Sequence, residues 1–359
     1  MREKWEYFEA ARRGFCSCWL IWLKLSCILR HSVSPVLARY ISILFPAKKM
    51  ETLLVLLHHL PETLDDDDYL SDTSSILTEI DPSYPFPVDG REQNRMNEQH
   101  DLLKELLGGN YVGPVRDLLA RRPLQRQIKV LDLCTGTGKW VVEMAEEFPH
   151  VKFNALDIVP ISTRSPPRNV DFEVHDVTSI RFPDSSFDFV HARHCSLLPE
   201  IEYSTMLTEA SRVLRPGGLI LLGEWIHLPI DFQTGRSPPG VTAFCQALNS
   251  SLLSEYAIPN IPPYLTDYIS QLGGFDDIQS RDYRMPIGDW GWSSPRAKAL
   301  GFKFGRTLKI WAESAAMVIA KAGYGEDVVK GLLDGFKGEI FNIAGLQIAY
   351  RVVTARRLA

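Results

Sequence analysis

The chain has no surplus of positive charge: 39 Lys and Arg stand against 44 Asp and Glu, a formal net charge of -5. That balance argues against a nucleic-acid partner, which normally shows as a basic excess. Cysteine is scarce, with six in 359 residues, at positions 16, 18, 27, 134, 195 and 245. Cys16-Ser17-Cys18 lacks the gap of a redox or zinc pair, and no second pair follows it. Reduced thiols and an intracellular, cytoplasmic setting are therefore expected. No run of His, Cys and acidic residues has metal-ligand spacing. A long apolar stretch is missing too. Phe15 to Leu29 comes nearest, but it is short for a bilayer span and Lys24 interrupts it. Arg12 and Arg13 before it resemble the basic start of a signal peptide, yet Arg30-His31 stands where a small-residue cleavage site would fall. The stretch reads as an appended, non-catalytic extension, or as a leader ahead of a working start at Met50.

Charge divides the N-terminal part. Residues 1–49 hold nine Lys and Arg against three Glu. Residues 50–83 are acidic around Asp65 to Asp68, and Leu64 to Pro87 is rich in Ser, Asp and Pro with little apolar periodicity. Such a composition cannot bury enough surface to order itself and reads as a tether. Residues 84–359 carry the periodic elements of one large domain.

Within that domain the organising stretch is Lys129 to Gly138, K-V-L-D-L-C-T-G-T-G. Val130, Leu131 and Leu133 predict a buried parallel strand. Thr135 to Gly138 predicts a glycine turn, and Val141, Met144, Ala145 and Phe148 continue at helical spacing. Strand, glycine turn and helix open a nucleotide-binding βαβ unit, with the helix N-terminus turned to a ligand. A dinucleotide fingerprint wants a small residue where Val141 stands. Asp132, inside the strand end, would repel a pyrophosphate. Both points oppose a hydride-transfer enzyme. An acid there suits a ligand with a free ammonium, such as the methionine part of S-adenosylmethionine. Asp157 closes a second apolar run, Val151 to Leu156, where a carboxylate can accept bonds from both ribose hydroxyls.

These motifs resemble those of class I S-adenosylmethionine-dependent methyltransferases, and more narrowly the fungal LaeA-like family, which includes secondary-metabolism regulators and small-molecule methyltransferases. The likeness runs from about Tyr84 to the C-terminus, and includes R-V-L-R-P-G-G from Arg212 and P-I-G-D-W from Pro286. One departure is Cys134, where the family usually has glycine. The resemblance implies a Rossmann-like α/β fold with a seven-stranded sheet, mostly parallel with an antiparallel last strand. It implies a helical cap inserted at about 286–344, with Trp290, Trp292, Phe302, Phe304 and Trp311 over the acceptor.

The cofactor implied is S-adenosylmethionine, met by Asp132, Gly136, Thr137, Gly138, Asp157 and Ile158. Asp176 resembles the acid that reads the adenine amino group, with Val177 beside it; a helix N-cap is its bland alternative. Tyr84 and the Gln99-His100 turn would cover the ligand, or simply belong to a surface helix. His191, Arg193 and His194 concentrate titratable groups at the carboxyl end of the strand Phe187 to Arg193, where open α/β sheets place ligands. His191 and Arg193 are assigned to the cofactor. His194, His227 and Glu224 are the candidate bases for a small-molecule acceptor methylated at O, N or S. The resemblance also permits, as the alternative, a regulatory methyltransferase acting through protein partners, with a nuclear location.

Overall fold

The computed structural model describes residues 84–159, 166–289 and 292–358, without the side chain of His227. The expected basic extension, the acidic tether and Trp290 lie outside the described residues.

Seven strands form one sheet in the order β3-β2-β1-β4-β5-β7-β6. They are β1 (Lys129–Leu133), β2 (Lys152–Asp157), β3 (Val170–Val174), β4 (Phe187–Arg193), β5 (Leu214–Asp231), β6 (Phe275–Pro286) and β7 (Leu346–Arg357). Strands β1 to β5 pair in parallel, and β7 runs antiparallel to both β5 and β6. The order reverses between β1 and β4, so their carboxyl ends open a crevice at the switch point.

Alternation along β1 assigns its side chains to opposite faces of the sheet. Leu131 and Leu133 join Leu156, Val190 and Ile220 in a core with Tyr203, Met206 and Leu207 of helix α4 (Glu200–Val213). Val130 joins Phe153 and Phe189 in the other core, against Trp140, Val141 and Met144 of α3 (Lys139–Glu147). Asp132 shares the parity of Val130, as His191 shares that of Phe189. Both polar residues thus continue an apolar row up to the sheet edge.

Helix α1 (Gly90–Leu107) starts where the Asp89 side chain accepts from the Glu92 N–H at 2.8 Å. It ends at Gly108, whose φ of 79° suits glycine at a helix C-terminus. Helix α2 (Val115–Leu119) leads into β1. Helices α5 (Pro239–Tyr256) and α6 (Leu265–Leu272) connect β5 to β6. Helices α7 (Pro295–Lys321) and α8 (Glu326–Asn342) lie between β6 and β7. Among the described residues no helix is long and apolar enough to cross a membrane.

The segment Leu214 to Gly218, which the sequence suggests is a tight turn before a strand, belongs to β5. Leu214 pairs with Phe187 and Leu219 with Phe189, so the strand takes up its extra residues in a bulge with Gly217 at φ 72°. The expected aromatic cap also divides. Trp311 lines the main cavity, but Phe302 is exposed. Trp292 stacks on Phe232 with centroids 5.4 Å apart.

Candidate functional site

The carboxyl ends of β1, β2, β4 and β5 converge on a cavity of about 330 Å³, a size suited to a small-molecule site. On one side the loop after β1 turns through Cys134 at φ 53° and Gly136 at φ 61°. A non-glycine residue in this left-handed region stores backbone strain, which collects at functional sites. A Cβ at Gly136 would come 2.7 Å from Met96 Cε of α1, the flexible end of a side chain that can give way, so its positive φ and not space calls for glycine. Thr137 lines the cavity, and its Oγ1 donates to Asn97 Oδ1 at 2.7 Å. Gly138 is the residue capping α3, at φ 77°.

Asp157 ends β2 at the cavity wall beside Ile158. Its Oδ2 accepts from the Gly136 N–H at 2.7 Å and its Oδ1 from the Val159 N–H at 2.9 Å. Burial pushes this carboxyl up to about 6, against backbone donors at Val159, Gly136 and Ile158. Asp176 and Val177 also line the cavity. Asp176 Oδ1 takes both the N–H and the hydroxyl of Thr178, each at 2.7 Å. The turn-forming role and the wall position therefore coexist.

Asp132 is buried, and both oxygens are engaged by protein groups: Oδ1 with His191 Nδ1 at 2.6 Å, Oδ2 with the Thr135 hydroxyl at 2.5 Å. This pairing qualifies the expectation of a carboxylate aimed solely at the ligand's ammonium. The His191 ring in turn stacks on Trp140, centroids 3.7 Å apart and 10° from parallel. Burial lowers its pKa while Asp132 opposes that shift.

Arg193 reaches the cavity wall and donates from Nη2 to His100 Nδ1 at 2.9 Å. Burial, reinforced by Arg193, pushes His100 down to about 4, so the ring is neutral at pH 7. His100, Asp101 and Glu143 cluster closely. Lys139 pairs with Asp101 and Lys104 with Glu143, while Arg193 donates to His100.

The other side of the cavity follows β4. His194 adopts φ 61°, and its ring lies 14° from parallel to Trp225 at 6.3 Å. A polar row missed in the sequence reaches it along α1. Glu92 Oε1 accepts from Arg95 Nε and Nη2 at 2.9 and 2.8 Å, and Arg95 Nη1 donates to Gln99 Oε1 at 2.5 Å. The Gln99 amide nitrogen then faces His194, 3.2 Å from Nδ1 and 3.4 Å from Nε2. The spacing of Glu92, Arg95 and Gln99 on one helix face was the available signal.

Glu224 is 2% exposed and lines the cavity. Its Oε1 accepts from the Cys195 N–H at 2.7 Å, and Ser196 donates to it as well. These bonds anchor the turn that follows His194. Burial nevertheless pushes the carboxyl up to about 8. A carboxyl raised from its ordinary 4.5 favours the folded state while protonated, and that advantage is lost as pH climbs toward about 8. The ligand-free protein is therefore expected to lose ~1 kcal/mol of stability per pH unit between about pH 5.5 and 8 through this group. Denaturant titrations of wild type and Glu224→Gln should show that slope only in the former. His227 lies on β5, and its side chain is outside the described part.

A family model described as a methyltransferase domain matches residues 130–218. The methyltransferase pytC of Aspergillus terreus is 29% identical over 229 residues, covering 61% of this chain and 65% of that protein. The secondary metabolism regulator laeA of Aspergillus fumisynnematus is 32% identical over 270 residues, covering 72% of this chain and 68% of that one. Among solved structures, phosphoethanolamine N-methyltransferase 2 of Haemonchus contortus in complex with S-adenosyl-L-methionine aligns with a TM-score of 0.41 and 16% identity, over 72% of this chain and 56% of that one. The chain spans 65% of the length of the pytC relative. With the sheet order, the glycine loop and the laeA match together, the chain belongs to the fungal LaeA-like family of class I S-adenosylmethionine-dependent methyltransferases.

Proposed function

We propose that the protein transfers a methyl group from S-adenosylmethionine to an O, N or S atom of a small secondary metabolite. The observation that carries this reading is that one cavity is lined both by the glycine loop with Asp132, Asp157 and Asp176 and by His194, Trp225, Leu248, Leu252 and Trp311.

The residues suit the cofactor. Asp157 is held by backbone donors, Gly136 and Val159 among them, so that its remaining lone pairs can receive ribose hydroxyls. Asp176 and Val177 would read the adenine edge, and Ile158 with the Gly136-Thr137 turn lines the same cavity. When bound, S-adenosylmethionine supplies an electrophilic methyl on a sulfonium. Displacement there asks the protein chiefly for alignment and exclusion of water.

On the acceptor side, His194 would contact the nucleophilic group. Glu224 is assigned a positioning role through the Cys195-Ser196 turn, because its bonds go to that turn and its carboxyl is raised to about 8. A second reading has one specific observation in its favour: the 32% identity to a secondary metabolism regulator. In that reading the protein would regulate secondary metabolism through partner proteins.

Incubation of the protein with S-adenosylmethionine labelled in the methyl group, together with fungal cell extract, tests the choice. Label is expected in an extractable small molecule. Label confined to protein would favour the regulatory reading, and no transfer to any fraction would reject methyl transfer under both.

A further inference from the structure

Three Lys or Arg side chains line the cavity: Arg95, Lys139 and Arg193. Two of them have a carboxylate partner. Arg95 donates from Nε and Nη2 to Glu92, and Lys139 Nζ lies 2.6 Å from Asp101 Oδ1. Arg193 differs. Among the described residues its one hydrogen-bond partner is His100, and it forms no ion pair. A guanidinium can only donate, so His100 Nδ1 must offer a lone pair and the ring is neutral. His100 is 3% exposed on α1. It seats the guanidinium without compensating its charge.

The guanidinium is also accessible. Arg193 is only partly buried where β4 ends, and none of its nitrogens is among the sealed polar atoms that lack a partner. Nη2 serves His100, which leaves the Nε and Nη1 donors unused. A partly buried charge without a counterion is costly. The neighbouring acids have other partners: Asp132 meets His191 and Thr135, and Glu92 meets Arg95. Shape then selects the missing anion. The planar fork of a guanidinium matches the two coplanar oxygens of a carboxylate. A phosphate dianion would bring a second charge, and among the described residues no second Lys or Arg of the lining lacks a carboxylate partner.

We infer that Arg193, seated on His100, is the carboxylate-binding residue of this cavity. The inference deepens the methyl-transfer reading and rests on it. S-adenosylmethionine carries one carboxylate, on its methionine part, and an acceptor can carry another. Arg193 lies two residues beyond His191 on the same face of β4, and His191 meets Asp132 beside the glycine loop. That nearness makes the cofactor's own carboxylate the expected source.

Two pairs of probes separate the sources. S-adenosylhomocysteine and its decarboxylated analogue, S-adenosyl-3-thiopropylamine, differ by the carboxylate and are compared by calorimetry. 2-Naphthoate and 2-naphthamide differ in charge at nearly constant shape. They are compared by equilibrium dialysis on protein saturated with S-adenosylhomocysteine. Wild type is expected to bind S-adenosylhomocysteine about ten- to a hundredfold more tightly than the analogue. Arg193→Gln should erase that preference and keep wild-type affinity for the analogue, which also verifies folding. A naphthoate preference of about tenfold, erased by the same substitution, would support the inference and assign the carboxylate to the acceptor. Should Arg193→Gln not fold, Arg193→Lys, which keeps the charge without the fork, is expected to cut the preference about fivefold. A preference in neither pair, or one undiminished by these substitutions, would overturn the inference. If wild type bound neither S-adenosylhomocysteine nor its analogue, the methyl-transfer reading itself would fall, and the inference with it. Equal binding of both, without a naphthoate preference, would sink the inference alone.

Discussion

His194→Ala is expected to lower turnover by about a hundredfold while leaving affinity for S-adenosylhomocysteine within about twofold, because the lost group orients the acceptor and not the cofactor. The sequence alone suggests a base at this position, and the neighbouring contacts suggest a second role for it. Arg95 occupies the Gln99 carbonyl oxygen, so it is the amide N–H that faces the imidazole. A neutral imidazole has one donor and one acceptor nitrogen. The Gln99 nitrogen lies 3.2 Å from Nδ1 and 3.4 Å from Nε2 of the ring, and in either tautomer the ring keeps one donor nitrogen. We propose that His194 donates a hydrogen bond to the acceptor and does not remove its proton. His194→Gln retains an N–H donor and should recover turnover to within about tenfold of wild type. Single-turnover assays with the methylated small molecule as readout would decide it. A glutamine variant as inactive as the alanine one would restore proton removal as the role of this residue.

How much of this arrangement is legible before folding depends on the range of the contact concerned. The β1 strand, the glycine loop and the acid ending β2 are local signals, carried by apolar runs and small residues, and they place Asp132, Gly136 and Asp157 on one sheet edge. The strand order could be expected only through family resemblance, since pairing β7 between β5 and β6 depends on contacts remote in sequence. The polar row from Glu92 to His194 was hidden for a different reason. Its spacing marks a helix face, but a solvated charge face has the same spacing, and only tertiary contact with β4 makes it part of a site. The Asp132–His191 pair joins residues in two different strands, aligned by their register in the sheet. The turn expected at Pro216-Gly217 failed because the bulge lets glycine at positive φ sit inside a strand. Local composition cannot distinguish those two uses of the same residues.

Asp157→Ala should weaken S-adenosylhomocysteine binding by about ten- to a hundredfold, equivalent to roughly 1.5–3 kcal/mol for hydrogen bonds to an ionised acceptor. The geometry makes a further comparison informative. Both carboxylate oxygens already accept a backbone N–H, from Gly136 and from Val159. Asn in this position would turn an NH2 group toward one of those donors, so Asp157→Asn is expected to bind no better than the alanine variant despite its similar size. Protonation supplies a third perturbation at the same atoms. Because burial raises the carboxyl to about 6, wild-type affinity should decline as pH falls below that value, where the ligand's hydroxyls lose a charged acceptor. The sign follows from the ligand favouring the ionised form: binding draws the protein toward the carboxylate and releases a proton at low pH. Calorimetry in buffers of different ionisation enthalpy, from pH 5 to 8, would read the proton release directly. Wild-type affinity in Asp157→Ala, or the same acid limb persisting without that side chain, would remove the ribose assignment.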